Sequence, residues 1–104
     1  PQVPGQLRRH YATRTRLEIL DLEAENIRDG ERTGLLALTP PEDPGRYAAV
    51  EVLSHSGSLR EAAANLFSAL RRLDARSLDR IIARPVPERD LGIAIMDRLR
   101  RCSA

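Results

Sequence analysis

The spacing of apolar positions changes from block to block along this chain. Leu17-Glu18-Ile19-Leu20 reads as a short first strand. Gly34-Leu35-Leu36-Ala37-Leu38, within Thr33 to Thr39, is a continuous apolar run suited to a strand buried on both faces. Tyr47 to Leu53 follows as a third strand, with Val50 and Val52 favouring extended structure. The period then lengthens. Leu59, Ala62, Ala63, Leu66, Leu70 and Leu73 fall on one helical stripe, which predicts a helix to about Asp74. Ser58-Leu59-Arg60-Glu61 at its start has the capping-box form, in which a serine and a glutamate three residues on satisfy each other's amides. Leu78 to Ala83 is a fourth strand containing the β-branched pair Ile81-Ile82. Pro85 and Pro87 end it, and Asp90 is placed to cap a last helix running to about Arg101.

The intervening segments are polar. Residues 1–15 read as extended, with Pro1, Pro4 and Gly5 and no hydrophobic period. The division expected is a linker over 1–16 and an α/β domain over 17–104. Residues 21–31 are highly charged, and Leu22 and Ile27 anchor at most a brief helical turn before Gly30, so one flank of the sheet should be thinly covered. Pro40-Pro41-Glu42-Asp43-Pro44-Gly45 is a loop. Strand, strand, strand, helix, strand, helix predicts a small, open, mostly parallel α/β sheet of about four strands flanked by helices, Rossmann-like, with parallel pairing in its later half.

Composition narrows the reading. With 3% aromatic residues among 104, the core must be built from Leu, Ile, Val and Ala, and this is the size of one domain. All seventeen basic residues are arginine and the net charge is +2, too small to argue nucleic-acid binding. Four of those arginines lie in residues 1–17 with no acid; the other thirteen face all fifteen acidic residues, a balance of −2. The positive character belongs to the tail. The lone Cys102 excludes an internal disulfide and any cysteine-cluster metal site. No apolar run reaches bilayer length and no secretory segment is present, so a cytoplasmic protein without membrane contact is expected. A chain beginning at Pro1 suggests a piece of a longer protein.

Enzyme constellations are nearly absent. His10 and His55 are the only histidines and lack metal-ligand spacing. No Gly-x-Gly-x-x-Gly, Walker or Gly-x-Ser-x-Gly element occurs. One loop, Ser54-His55-Ser56-Gly57-Ser58, leads into a helix N-terminus, where free amides favour anions. Ser56, Gly57 and Ser58 are its candidate phosphate contacts; the plainer role is a Ser58 cap and a Gly57 turn. Arginines on the helices, such as Arg60, Arg71, Arg72 and Arg98, read as solvated charges, so direct tRNA binding is not expected.

Three further blocks carry a resemblance. Val3-Pro4-Gly5-Gln6-Leu7-Arg8-Arg9-His10-Tyr11-Ala12-Thr13-Arg14-Thr15-Arg16-Leu17 resembles the interdomain linker of the threonylcarbamoyl-AMP synthase (YrdC/Sua) family: Pro-Gly-Met, a basic spacer, His-Tyr-Ala-Pro, a basic residue, Thr-Pro-Leu. Ala62 through Asp74 is similar to that family's Ala-x-x-Leu-Phe/Tyr-x-x-Leu-Arg-x-Leu-Asp helix. Ile81-Ile82-Ala83, Pro85, Pro87 and Gly92 through Arg101 are similar to its closing strand and helix. Residues 22–34 match poorly.

The resemblance implies an ancillary C-terminal domain whose partner is an N-terminal catalytic domain on the same polypeptide, absent from this chain. The family reaction condenses L-threonine, bicarbonate and ATP (with Mg) into L-threonylcarbamoyladenylate and pyrophosphate, for tRNA modification. It implies that this fragment alone is inactive and binds no cofactor by itself. The linker would close over the nucleotide, with Tyr11 bonding phosphate, His10 and Arg14 neutralising charge, and Pro4 and Gly5 setting the turn. Gln6, Thr13 and Arg16 depart from the family's Met, Pro and Pro, and the loss of two prolines loosens the linker. The alternatives are a free-standing regulatory or nucleotide-binding interaction module, and an RNA-binding adaptor.

Overall fold

The computed structural model describes residues 12–103. Four strands, β1 (Leu17–Ile19), β2 (Thr33–Ala37), β3 (Ala49–Val52) and β4 (Arg80–Ala83), form one sheet in the order β1-β4-β2-β3. Every pair is parallel: Leu17 lies opposite Ile81, Gly34 opposite both Ile81 and Ala49. The chain places β4 between β1 and β2, so the last strand completes the centre of the sheet. Two helices, α1 (Leu59–Asp74) and α2 (Leu91–Cys102), follow β3 and β4.

Both helices cover the same face. Leu66, Ala69, Leu70 and Leu73 of α1 and Ile95, Met96 and Leu99 of α2 join Leu17, Leu36, Ile81 and Ala83 in the main core. β2 is buried along its whole length, as its unbroken apolar run requires. Among the described residues, no long helix covers the other face. A smaller cluster of Leu35, Ala37, Tyr47 and Ile82 sits there, with Leu20, Ile27 and Val50 packed against it. A three-residue 3-10 turn at Leu22–Ala24, capped by the Asp21 carboxylate on the Ala24 amide at 3.0 Å, is the only helical piece between β1 and β2. The thin flank read from residues 21–31 is therefore present.

Element ends moved for identifiable reasons. β3 begins at Ala49 and not Tyr47, because the Tyr47 amide bonds Pro44 O at 3.2 Å and closes a second 3-10 turn over Pro44–Arg46. β4 begins at Arg80, since Ser77 turns the chain with φ 55° and Leu78 folds inward against the sheet. Asp90 does not cap α2 through its side chain. Its backbone takes φ 50°, its carboxylate pairs with Arg89 at 3.3 Å, and Gly92 N–H donates to Arg89 O at 2.8 Å to close the first turn.

Gly92 permits this turn. A Cβ there would lie 1.8 Å from the Pro87 carbonyl oxygen, so no side chain fits while α2 keeps its place. Gly34 plays a milder part within β2, where an added Cβ would meet Leu78 Cδ1 at 2.5 Å.

Candidate functional site

The N-terminal segment enters the domain at the carboxyl end of α1. Asp74, half-buried as the last residue of that helix, accepts the Thr15 amide at 2.9 Å on one oxygen and the Arg14 amide at 3.1 Å on the other. The Thr13 hydroxyl donates to Thr15 O at 2.6 Å, tightening the same bend. At the end of α2, burial pushes the Cys102 thiol up, and a backbone hydrogen bond from Thr13 partly offsets it. Arg16 O accepts the Ile81 amide at 2.8 Å, and from there the chain is β1. Arg14 itself is exposed and shares a shallow cleft of about 380 Å³ with Ala12, Arg71, Asp74 and Ala75.

Two departures from the family pattern acquire a use here. A proline at position 13 would have no amide to offer Cys102. Arg16 pairs with Glu18 at 3.0 Å. The expected loosening is thus offset locally by hydrogen bonds that proline could not make.

The Ser54–Ser58 loop is built as a helix cap. Ser58 Oγ accepts the Glu61 amide at 3.1 Å, half of the expected capping box. The reciprocal place is filled by buried Ser54, whose Oγ accepts the Ser58 amide at 2.9 Å and faces the Ser56 hydroxyl at 3.2 Å. Gly57 supplies φ 78°. Asp74 is the last of the sixteen residues of α1 that follow this loop, roughly 24 Å along the helix at 1.5 Å per residue. The two candidate sites therefore stand at opposite ends of one helix and do not combine. His55 is exposed in the loop. Pro4, Gly5, His10 and Tyr11 lie outside the described residues.

A polar system on the thin face was not foreseen. Arg80, 8% exposed, reaches Glu18 at 2.9 Å, Glu31 at 2.8 Å and Asn26 O at 2.6 Å. Its Nε is the one buried side-chain nitrogen or oxygen without a partner among the described residues. Hydrogen bonds from Arg80 and then Arg16 hold Glu18 below the usual carboxylate value. For Glu31, burial pushes upward, but bonds from Thr33, the Arg28 amide and Arg80 outweigh it and leave its pKa lowered. Beside them, the fully buried Glu25 side chain accepts from Tyr47 OH and from Arg84 Nε at 2.7 Å. Arg84 also donates to Tyr47 OH at 2.8 Å, and the Arg46 guanidinium stands 5.5 Å from that ring's centre. Burial, followed by the bond to Glu25, raises the Tyr47 pKa. Alternation gave the available signal: Glu18, Arg80 and Arg84 occupy or adjoin strand positions whose neighbours face the helices.

The chemistry these residues support is holding and orienting. Among the described residues no group of three His, Cys, Asp or Glu could hold a metal ion. No described helix is long and apolar enough to cross a membrane.

Fold and anchorage together define a small all-parallel α/β domain with an N-terminal segment tethered at the helix ends. The profile of the family described as threonylcarbamoyl-AMP synthase, C-terminal domain, matches residues 1–104, and the chain belongs to that family. It is 34% identical to the threonylcarbamoyl-AMP synthase of Pyrococcus abyssi over 98% of its length. Identity to the Bacillus subtilis enzyme is also 34%, over 99% of this chain. The chain spans 32% of the length of each. Among solved structures it is similar to P. abyssi Sua5 complexed with L-threonine, with a TM-score of 0.70, 29% identity, and coverage of 90% of this chain and 29% of that one. It also matches a P. abyssi Sua5 variant in which a histidine and a tyrosine are replaced by alanine. There the TM-score is 0.60 and the identity 35%, over 72% of this chain and 21% of the other.

Proposed function

We propose that this chain is the ancillary part of a threonylcarbamoyl-AMP synthase, and that residues 1–16 link it to an N-terminal catalytic domain and close over bound nucleotide. The relatives' greater length leaves room for such a domain outside the region matched. The observation that carries the reading is the pair of hydrogen bonds that the Arg14 and Thr15 amides donate to Asp74, which gives the preceding segment a fixed point of departure. A tether that closes reproducibly over a cleft needs one rigid end.

In the parent reaction L-threonine, bicarbonate and ATP give L-threonylcarbamoyladenylate, pyrophosphate and water. The product is a mixed anhydride that water destroys. A segment that covers the nucleotide shields it, and the Tyr11 phenol would bond phosphate while its ring excludes solvent. His10 and Arg14 would add positive charge near the triphosphate or the departing pyrophosphate. Pro4 and Gly5 would direct the chain across the cleft. The adjacent His10-Tyr11 pair also corresponds in type to the two residues replaced in the solved P. abyssi variant.

The test is pyrophosphate release by the full-length protein, dependent on ATP, threonine and bicarbonate, for Tyr11→Phe and for deletion of residues 1–104. Loss of a hydrogen bond to a charged group costs about 1.5–3 kcal/mol, or roughly 10–150-fold in rate. The deletion should lose at least as much. Wild-type rates in both would overturn the proposal.

A further inference from the structure

Two side chains, each from a helix carboxyl end, hold three successive residues of the N-terminal segment. Asp74 takes the amides of Arg14 and Thr15, and Cys102 faces the backbone of Thr13. An aspartate is the unfavourable charge for a helix carboxyl end, which the α1 dipole makes negative. Arg71 and Arg72 in the same turn have the favourable sign. Asp74 therefore has to be explained by what it binds. A carboxylate spanning two consecutive amides fixes both the position and the heading of a chain, which one hydrogen bond cannot do. Arg14 and Arg71 flank this carboxylate in the same cleft, so the anchor shares one surface with a basic residue of the linker.

We infer that Asp74 is a positioning residue for the parent reaction: by gripping the Arg14 and Thr15 amides it sets the direction in which the linker leaves the domain. This rests on the closing-linker reading above. The effect passes through the linker; Asp74 touches no reacting group.

The experiment uses the full-length protein with Asp74→Ala, with Asp74→Asn, which keeps one acceptor, and with residues 1–12 deleted. Two quantities are read: amide hydrogen exchange at Arg14, Thr15, Leu35 and Ile81, and kcat/KM for ATP in pyrophosphate release. The expected result for Asp74→Ala is exchange at least tenfold faster at Arg14 and Thr15, unchanged at Leu35 and Ile81, with kcat/KM at least tenfold lower and Asp74→Asn intermediate. An inactive deletion beside a fully active Asp74→Ala overturns this inference alone. Full activity in both overturns the closing-linker reading, and this inference with it. Should Asp74→Ala also speed exchange at Leu35 and Ile81, Asp74→Asn decides by the same criteria.

Discussion

Gly92→Ala should destabilise the domain even though alanine is the better helix former. The added Cβ would stand 1.8 Å from the Pro87 oxygen and 3.0 Å from its carbonyl carbon. Ordinary contact needs well over 3 Å, so α2 and the Pro87 segment must separate by roughly 1.5 Å. Both surfaces are backbone, and no side chain can rotate away. The shift is resisted because Ile95, Met96 and Leu99 of α2 are at most 3% exposed in the core. Overpacking of this kind costs about 1–3 kcal/mol, or more where the backbone must move. Helix propensity returns about 1 kcal/mol. Because the backbone must move, the cost lies at the upper end of that range, and the net loss expected is about 2 kcal/mol, or roughly 8–16 °C in Tm for a domain of this size.

Equilibrium urea unfolding followed by circular dichroism would measure it, with the midpoint falling by about 1 M and m unchanged. Gly45→Ala is the control. Its nearest neighbour to an added Cβ is an Asp43 oxygen at 3.7 Å and its φ is not positive. That change should be neutral or stabilising by about 0.4–1 kcal/mol through the unfolded state. A Gly92→Ala protein as stable as wild type, with Gly45→Ala behaving as stated, would refute the reasoning. Because α2 ends at Cys102, the same displacement should loosen the hold on Thr13.

Arg80→Met should cost about 2–4 kcal/mol in urea unfolding at neutral pH, since it strands Glu18 and Glu31 without their shared cation. The same pair sets an acid limb. Both carboxylates have folded pKa values lowered from 4.5, so their contribution is complete above the unfolded value and is lost as pH falls through the folded ones. Wild-type stability should therefore drop below about pH 4.5, and Arg80→Met should flatten that drop; an equal slope in both would contradict the assignment. Ser58→Ala removes the acceptor of the Glu61 amide and should cost about 1 kcal/mol in thermal unfolding; no change would mean that the Ser54–Ser58 loop does not depend on its cap.

The layout of the fold was readable because its strongest signals are local. An unbroken Leu35-Leu36-Ala37-Leu38 run can only be a buried strand at that length, and the Leu59 to Leu73 stripe has one helical solution. Element ends were less readable because partners distant in sequence set them: Pro44 captures Tyr47, and the inward fold of Leu78 delays β4. Asp90 misled because a cap is recognised by residue type, while φ 50° turns its side chain to Arg89. The thin flank followed from the charges of residues 21–31, but not the use made of it. Arg80 joins Glu18 and Glu31 across separations of 62 and 49 residues, which no window along the chain reveals. The site behaved alike. Arg14 was named from a pattern, whereas its amide's partner, Asp74, lies 60 residues away and was visible only as an acid at the end of a helix.

Closure of the linker over nucleotide is tested most directly by hydrogen exchange in the full-length protein, following residues 6–16 with and without a non-hydrolysable ATP analogue. Added nucleotide should slow exchange through His10 and Tyr11 by tenfold or more, while Arg14 and Thr15, already held by Asp74, change little. Equal rates at His10 and Tyr11 with saturating nucleotide would contradict the account.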